Sequence, residues 1–101
     1  MAVDVFANRI AKIMASMFIP LKRVDCIAFT GGIGENGALI REKVIKAFQY
    51  RGIRLNHNKN NTPGVEGFVS ASYSTVRVMV IKTNEEGNQS LSFRNKINIF
   101  V

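Results

Sequence analysis

The stretch Phe29-Thr30-Gly31-Gly32-Ile33-Gly34-Glu35-Asn36 lies between an apolar segment and a helical pattern. Residues 24–28 are typical of a buried strand, and residues 38–48 place apolar side chains at helical spacing. A strand, a glycine-rich turn and a helix together present backbone N–H groups to a phosphate in many α/β proteins. Glycine also lets the backbone turn sharply and lets a ligand come close. The stretch therefore predicts a nucleotide site.

Two common phosphate-binding fingerprints fit this stretch poorly. Gly32, Gly34 and Gly37 satisfy the spacing G-x-G-x-x-G, but a dinucleotide site also needs an acidic residue about 20 positions later. The next strand candidate, residues 52–56, holds no Asp or Glu. A P-loop is disfavoured because no Lys-Ser or Lys-Thr pair follows the glycines. A tight strand-to-helix turn that binds no ligand stays open as the alternative.

The residue identities over 29–36 are more specific than the spacing of the glycines. This sequence closely resembles the adenine-nucleotide loop of the acetate kinase family, which includes propionate and butyrate kinases. Three further segments resemble that family in the same order. Residues 2–12 (AVDVFANRIAK) resemble its long helix, residues 38–44 (ALIREKV) its "SALVREKV" segment, and residues 80–86 (VIKTNEE) its "VIPTNEE" segment. The four segments in order carry more weight than one motif.

The resemblance implies both a fold and a nucleotide site. The implied fold is part of an actin-like, sugar-kinase-type (ribonuclease H-like) α/β domain, with a mostly parallel sheet flanked by helices. The implied contacts with the adenosine and phosphates of ATP are Gly32, Ile33, Gly34, Glu35 and Asn36. A carboxylate repels phosphate, so Glu35 is better suited to ribose hydroxyls or to backbone donors. Asn36 is also a credible N-cap for the helix that follows.

The resemblance also implies a Mg²⁺ ligand, Glu85, in the Thr-Asn-Glu-Glu segment. A carboxylate oxygen is a suitable ligand for Mg²⁺, which it binds together with waters and substrate phosphates. The residues themselves leave another interpretation open. Thr83 and Glu86 have the spacing of a capping box at the start of a helix.

Helical and strand patterns alternate along the chain, which favours an α/β fold with a largely parallel sheet. At 101 residues the chain has the length of a single domain. The predicted elements are a helix over residues 1–19 stopped by Pro20, a strand over 24–30, a helix over 37–51 ended by Gly52, short strands over 53–55 and 68–70, a loop over 56–67 and a strand over 76–81.

The chain matches only the late part of a full-length family member. The family reaction moves the γ-phosphoryl group of ATP to a short-chain carboxylate in a cleft between two domains. Its catalytic Asn, two Arg, Asp and His precede the region represented here, so none can be assigned. His57 is predicted to be a solvated loop residue. We therefore expect no catalysis by this chain alone, and carboxylate binding only if the missing domain is supplied.

The last residues depart from the family pattern. Lys82 replaces the usual proline, and Gly87 falls in the first turn of the family's next helix, where glycine costs about 1 kcal/mol relative to alanine. Residues 96–101 alternate like a strand. The chain is thus predicted to be one C-terminal nucleotide-binding subdomain, residues 1–101, with a divergent tail over 87–101. The alternative is a non-catalytic α/β binding or self-assembly module derived from a decayed kinase gene.

The charge and the single cysteine limit the partners and the compartment. The net charge of +7 invites a nucleic-acid interpretation, but the basic residues are scattered, so we expect no specific nucleic-acid binding. Cys26 is predicted to be a core residue, and one cysteine cannot form an internal disulfide, which fits a reducing cytoplasm. No apolar run approaches the ~18 residues of a membrane span.

The first helix is predicted to carry apolar surface that a partner domain would cover. The residues expected to form this surface are Met1, Met14, Met17 and Phe18. Large exposed apolar patches promote association, so we expect a homo-oligomer or poor solubility.

Overall fold

A computed structural model describes residues 2–30, 37–62, 65–81 and 95–100. Its elements, in chain order, are α1 (Ala2–Leu21), β1 (Cys26–Thr30), α2 (Gly37–Lys46), a 3₁₀ turn (Gln49–Arg51), α3 (His57–Asn60), β2 (Gly67–Phe68), β3 (Arg77–Ile81) and β4 (Lys96–Phe100). The strands form one sheet in the order β2-β3-β1-β4.

The sheet is built around β1, which has a parallel neighbour on each side. Ala28 of β1 is the register partner of Met79 in β3 and of Asn98 in β4. Of the strands in the described ranges, only β2 runs antiparallel, against β3. The described strands therefore confirm the predicted α/β fold with a mostly parallel sheet, and β4 confirms the strand pattern of the tail.

The main core lies between one face of the sheet and the helices α1 and α2. Every residue of β1 is buried, as expected of a central parallel strand. The buried side chains of this core come from the helices (Ala7, Ile10, Ala11, Met14, Phe18, Ile40, Val44, Ile45), from the strands (Ile27, Phe29, Val78, Ile97, Ile99) and from the segments between them (Val24, Phe48, Ile53, Val69, Val76). A smaller cluster of Cys26, Ala28 and Met79 lies on the other face, where Phe68 and Ile81 pack against it.

The first helix continues one residue beyond Pro20, so the prediction that Pro20 stops it was wrong. The helix ends at Leu21, and Lys22 takes a left-handed conformation with φ 59°. The Lys22 N–H donates to the Phe18 carbonyl at 3.0 Å. The turn is thus closed by a left-handed residue after the helix, a common way to end one.

The second predicted helix is shorter than expected, because α2 ends at Lys46 and a 3₁₀ turn completes the segment. Gly52 does end it, as predicted, in the left-handed conformation with φ 84°. A Cβ at Gly52 would lie 2.6 Å from Cγ2 of Thr75. Both the backbone conformation and the close contact therefore require glycine.

Two predictions for the middle of the chain were wrong. Residues 53–55 form no strand; only Leu55 makes an isolated antiparallel bridge, with Ser70. Residues 56–67 are not simply a loop, because α3 lies there, capped by the Asn56 side chain, which accepts from the Lys59 N–H. His57 is exposed, as expected, but it begins this helix.

The apolar surface of α1 is not the one predicted. Met14 is fully buried, Phe18 is 6% exposed, and Met17 packs against the core, while Met1 lies outside the described residues. The exposed large apolar side chains of the helix are instead Val5, Phe6, Ile13 and Ile19. Among the helices that the structure describes, none is long and apolar enough to cross a bilayer.

Candidate nucleotide site

The candidate site lies at the edge of the sheet where the three parallel strands end. Thr30, the last residue of β1, is the register partner of Ile81 in β3 and of Phe100 in β4. Two segments singled out in the sequence leave from this edge: residues 31–36 follow β1, and residues 82–86 follow β3. Ligands of open α/β sheets bind beyond the carboxyl ends of the strands.

The predicted site residues themselves lie outside the described residues. This holds for the five nucleotide contacts, Gly32, Ile33, Gly34, Glu35 and Asn36, and for the metal ligand Glu85. Their roles therefore stay predictions. What the structure does describe is the pair of elements that bound the glycine loop, the end of β1 and the start of α2.

Thr30 fixes the point from which the glycine loop leaves. The side chain is 8% exposed, and its hydroxyl donates to the Ile99 carbonyl at 3.2 Å. This bond ties the end of β1 to β4. Sequence reasoning gave Thr30 no role, because its partner lies 69 residues away in the chain.

The start of α2, on the other side of the loop, is anchored by the buried residue Asn60. Its side-chain Nδ2 donates to the carbonyl of Ala38 in the first turn of α2, at 3.0 Å. Its Oδ1 accepts a hydrogen bond from Nε of Arg41 at 2.6 Å, and its backbone carbonyl accepts from Nη2 of Arg41 at 3.1 Å. Through Asn60, α3 therefore holds the start of α2 in place, next to the glycine loop.

Arg41 is unusual because a guanidinium rarely lies inside a core. The residue is 6% exposed, and burial lowers the pKa of its guanidinium from the usual value. Charge-assisted hydrogen bonds to Asn60 offset part of that desolvation. The sequence held a signal for this burial: Arg41 lies three and four positions before the buried Val44 and Ile45, on the inner face of α2.

A second contact between α2 and α3 lies at the surface. Oε2 of Glu42 is 3.1 Å from Nδ1 of His57 and accepts a hydrogen bond from Nδ2 of Asn61 at 3.3 Å. The His57 side chain is 79% exposed. This contact also joins α3 to α2, but it contributes little to stability, as exposed pairs usually do.

Two surface grooves near α2 are separate from the candidate edge. One has a volume of about 310 Å³ and runs between α1 and α2; the other, about 340 Å³, lies between α2 and the segment containing α3. Neither is lined by Thr30 or Gly37. Within the described ranges, no three His, Cys, Asp or Glu side chains lie close enough together to hold a metal ion.

Comparison with known proteins gives a family for most of the chain. The model of the acetokinase family matches residues 1–89. Acetate kinase of Bacillus cytotoxicus is 46% identical over 85 residues, which are 84% of this chain and 21% of that protein. Acetate kinase of Shouchella clausii is 45% identical over 85 residues, 84% of this chain and 22% of that protein.

Solved structures agree with the sequence comparison. A propionate kinase from Francisella tularensis is 41% identical with a TM-score of 0.71, and it matches 84% of this chain and 21% of its own. Acetate kinase of Porphyromonas gingivalis is 35% identical with a TM-score of 0.74, over 84% of this chain and 22% of its own. Acetate kinase of Entamoeba histolytica, at 24% identity and a TM-score of 0.73, covers 84% of this chain and 23% of its own and supports the fold alone.

These likenesses confirm the predicted fold, a part of the actin-like, sugar-kinase-type α/β architecture. They also fix the extent of the match. The chain spans about a fifth of the length of the curated relatives it matches. Over residues 1–89 it is a member of the acetokinase family.

Proposed function

We propose that this chain is the nucleotide-binding C-terminal portion of an acetate kinase-like phosphotransferase. The family reaction converts ATP and acetate, or another short-chain carboxylate, to ADP and an acyl phosphate. The observation that carries the proposal is the shared edge of β1 and β3, from which residues 31–36 and 82–86 both leave. Both segments lie within residues 1–89, the region that matches the family.

The glycine loop would bind the nucleotide mainly through its backbone. Gly32 and Gly34 let N–H groups approach the phosphates without a Cβ in the way, and Ile33 lies between them in the loop. Glu35 would accept hydrogen bonds from ribose hydroxyls rather than face a phosphate. Asn36 would cap α2, so that the positive end of the helix would face the bound anion.

Glu85 would hold Mg²⁺ beside the same nucleotide. The donor chemistry fits, because Mg²⁺ prefers oxygen ligands and takes one or two carboxylates together with substrate phosphates. When bound, the ion would neutralise negative charge on the phosphates. Glu85 follows β3, which ends at Ile81 and pairs with β1, the strand that precedes the glycine loop.

We further propose that the isolated chain binds nucleotide at most weakly and does not catalyse the transfer. Phosphoryl transfer depends on positioning and charge stabilisation around the whole reacting group. This chain corresponds to about a fifth of a relative's length, so most of those contacts would come from elsewhere. Its partners are therefore a nucleotide in the cytoplasm and, only with the rest of an enzyme, a short-chain carboxylate.

A non-catalytic binding or self-assembly module is the second candidate. One observation favours it: α1 exposes Val5, Phe6, Ile13 and Ile19, the last at 81%. An exposed apolar surface of this kind promotes association between copies. Light scattering over a range of concentrations separates the two candidates on this point, because a monodisperse monomer contradicts self-assembly.

Calorimetric titration with ATP and Mg²⁺ tests the nucleotide proposal. The matched variants are Gly34→Val, which places a branched side chain in the loop, and Ser72→Val, which enlarges an exposed residue remote in sequence from the loop. We expect weak, saturable binding by the wild type and by Ser72→Val, and none by Gly34→Val. Equal and negligible binding by all three would favour the module.

A coupled assay for acyl phosphate tests the second half of the proposal. The pure chain, ATP, Mg²⁺ and acetate should give no product above the rate without protein. Formation of acetyl phosphate that depends on both ATP and acetate would contradict it.

A further inference from the structure

The fourth strand of the sheet does not come from the family-matched region. β1, β2 and β3 lie within residues 1–89, but β4 spans Lys96–Phe100. The matched region therefore supplies a neighbour for only one edge of β1. The other edge is covered by β4, which lies outside that region.

The tail holds β1 along its whole length. All five residues of β4 are register partners of the five residues of β1. Before the strand, the Asn95 carbonyl accepts from the Asp25 N–H at 2.8 Å. At the other end, the Ile99 carbonyl accepts from the Thr30 hydroxyl at 3.2 Å. Both ends of the central strand are thus fastened to the tail.

The side chains of β4 suit an edge position. Ile97 is 1% exposed and Ile99 is 5% exposed, and both belong to the core between the sheet and the helices. Asn98, between them, is exposed, and Lys96 is half-buried. This alternation buries one face of the strand. A polar residue on the other face is typical of edge strands.

Without β4, the central strand would have an open edge. Cys26, Ile27, Ala28 and Phe29 are buried to 1% exposure or less, so β1 is apolar on both faces. An open edge of an apolar strand exposes unpaired N–H and C=O groups and recruits other strands. We propose that the edge of β1 is a strand-accepting surface, and that this chain closes it with its own segment 95–100, bound in parallel.

The first test locks the strand in place in the full chain. Cys26 and Lys96 are register partners, and neighbouring strands lie about 4.8 Å apart, within the range of a disulfide. Lys96→Cys should therefore give a disulfide with Cys26 within one molecule after equilibration in a glutathione buffer. The control is Asn98→Cys, whose register partner is Ala28 and which should stay reduced.

Mass spectrometry and non-reducing electrophoresis give the result. A monomeric, disulfide-bonded Lys96→Cys chain beside a reduced control supports the proposal. The absence of the disulfide, or its equal formation in the control, overturns it. Disulfide-linked dimers alone would also overturn it, because the edge would then be closed by a second copy.

The second test opens the edge in the full chain. The double variant Ile97→Asn/Ile99→Asn loses two buried apolar side chains, so protection of the β1 amides from hydrogen exchange should fall roughly a hundredfold or more. A synthetic peptide of residues 95–100 should restore protection, whereas the same peptide with both Asn changes should not. Unchanged protection of β1, or no effect of the wild-type peptide, would overturn the proposal.

Discussion

β3 and β4 flank the same strand in the same direction and share its register, yet they differ in origin and in environment. β3 lies inside the family-matched region, and β4 lies outside it. The consecutive residues Val78 and Met79 of β3 are both buried, whereas over residues 96–99 of β4 only alternate residues are buried. The side-chain pattern of each strand therefore follows its position in the sheet and not its place inside or outside the family match. An internal strand is apolar on both faces, whereas an edge strand is apolar on one face.

The largest expected difference is at the two partners of Ala28. Met79→Ala should lower the free energy of unfolding by about 3 kcal/mol, because it leaves a cavity at a site 1% exposed. Asn98→Ala, at the same register on β4, should change it by no more than about 0.5 kcal/mol. Urea denaturation of both variants measures the pair. Similar losses would show that β4 is as internal as β3.

The crossover from β1 to β3 has an anchor that can be tested separately, the contact of Arg41 with Asn60. Asn60→Ala should cost about 2.5 kcal/mol, because it removes the side-chain acceptor of a buried guanidinium and the donor to Ala38. Asn58→Ala, on the same helix but exposed, is the control and should be nearly neutral. Equal and small effects in urea denaturation would mean that α3 does not hold α2.

A smaller effect is expected at the two partners of Ile27, Val78 in β3 and Ile97 in β4. Both side chains are buried in the same core, so each truncation to Ala should cost about 2 kcal/mol. Near-equality would show that a strand outside the family match contributes as much to this face as one inside it. A cost below about 0.5 kcal/mol for Ile97→Ala alone would show that β4 is weakly attached.

The features that the sequence predicted share a local cause. β1, β3 and the tail strand follow from apolar runs or alternation within a few residues, and Gly52 follows from the left-handed conformation that ends a helical segment. The features that it missed depend on distant partners. α3 and its contact with Arg41 depend on a hydrogen bond across 19 residues of chain, which no local pattern reveals.

Less of the candidate site than of the fold could be predicted from the residues alone. The residues alone indicated a phosphate-binding turn, while the adenosine and Mg²⁺ roles of residues 32–36 and Glu85 came from the resemblance. Local chemistry could not assign them, because a Thr-Asn-Glu-Glu segment also fits a capping box. What the structure adds is the common edge of β1 and β3, which depends on strand pairing over about 50 residues of chain.

The smallest effect concerns Cys26, whose register partners are Arg77 in β3 and Lys96 in β4. Burial raises the pKa of the thiol from 9.0 to about 11, while both cations act to lower it, Lys96 more than Arg77. Because the folded pKa lies above the unfolded one, this contribution to stability is complete below pH 9. It should be lost as the pH rises from about 9 to about 11.

Urea denaturation across that pH range measures the contribution of Cys26, and Cys26→Ala should lack it. Thiolate absorbance of the folded chain then compares the two neighbouring strands directly. Lys96→Met should raise the pKa of Cys26 further than Arg77→Met does, because Lys96 is the stronger of the two cations acting on the thiol. If Arg77→Met alone shifts the titration, the cation of β4 does not lie beside Cys26, and the equivalence of the two flanking strands fails at this end of the sheet.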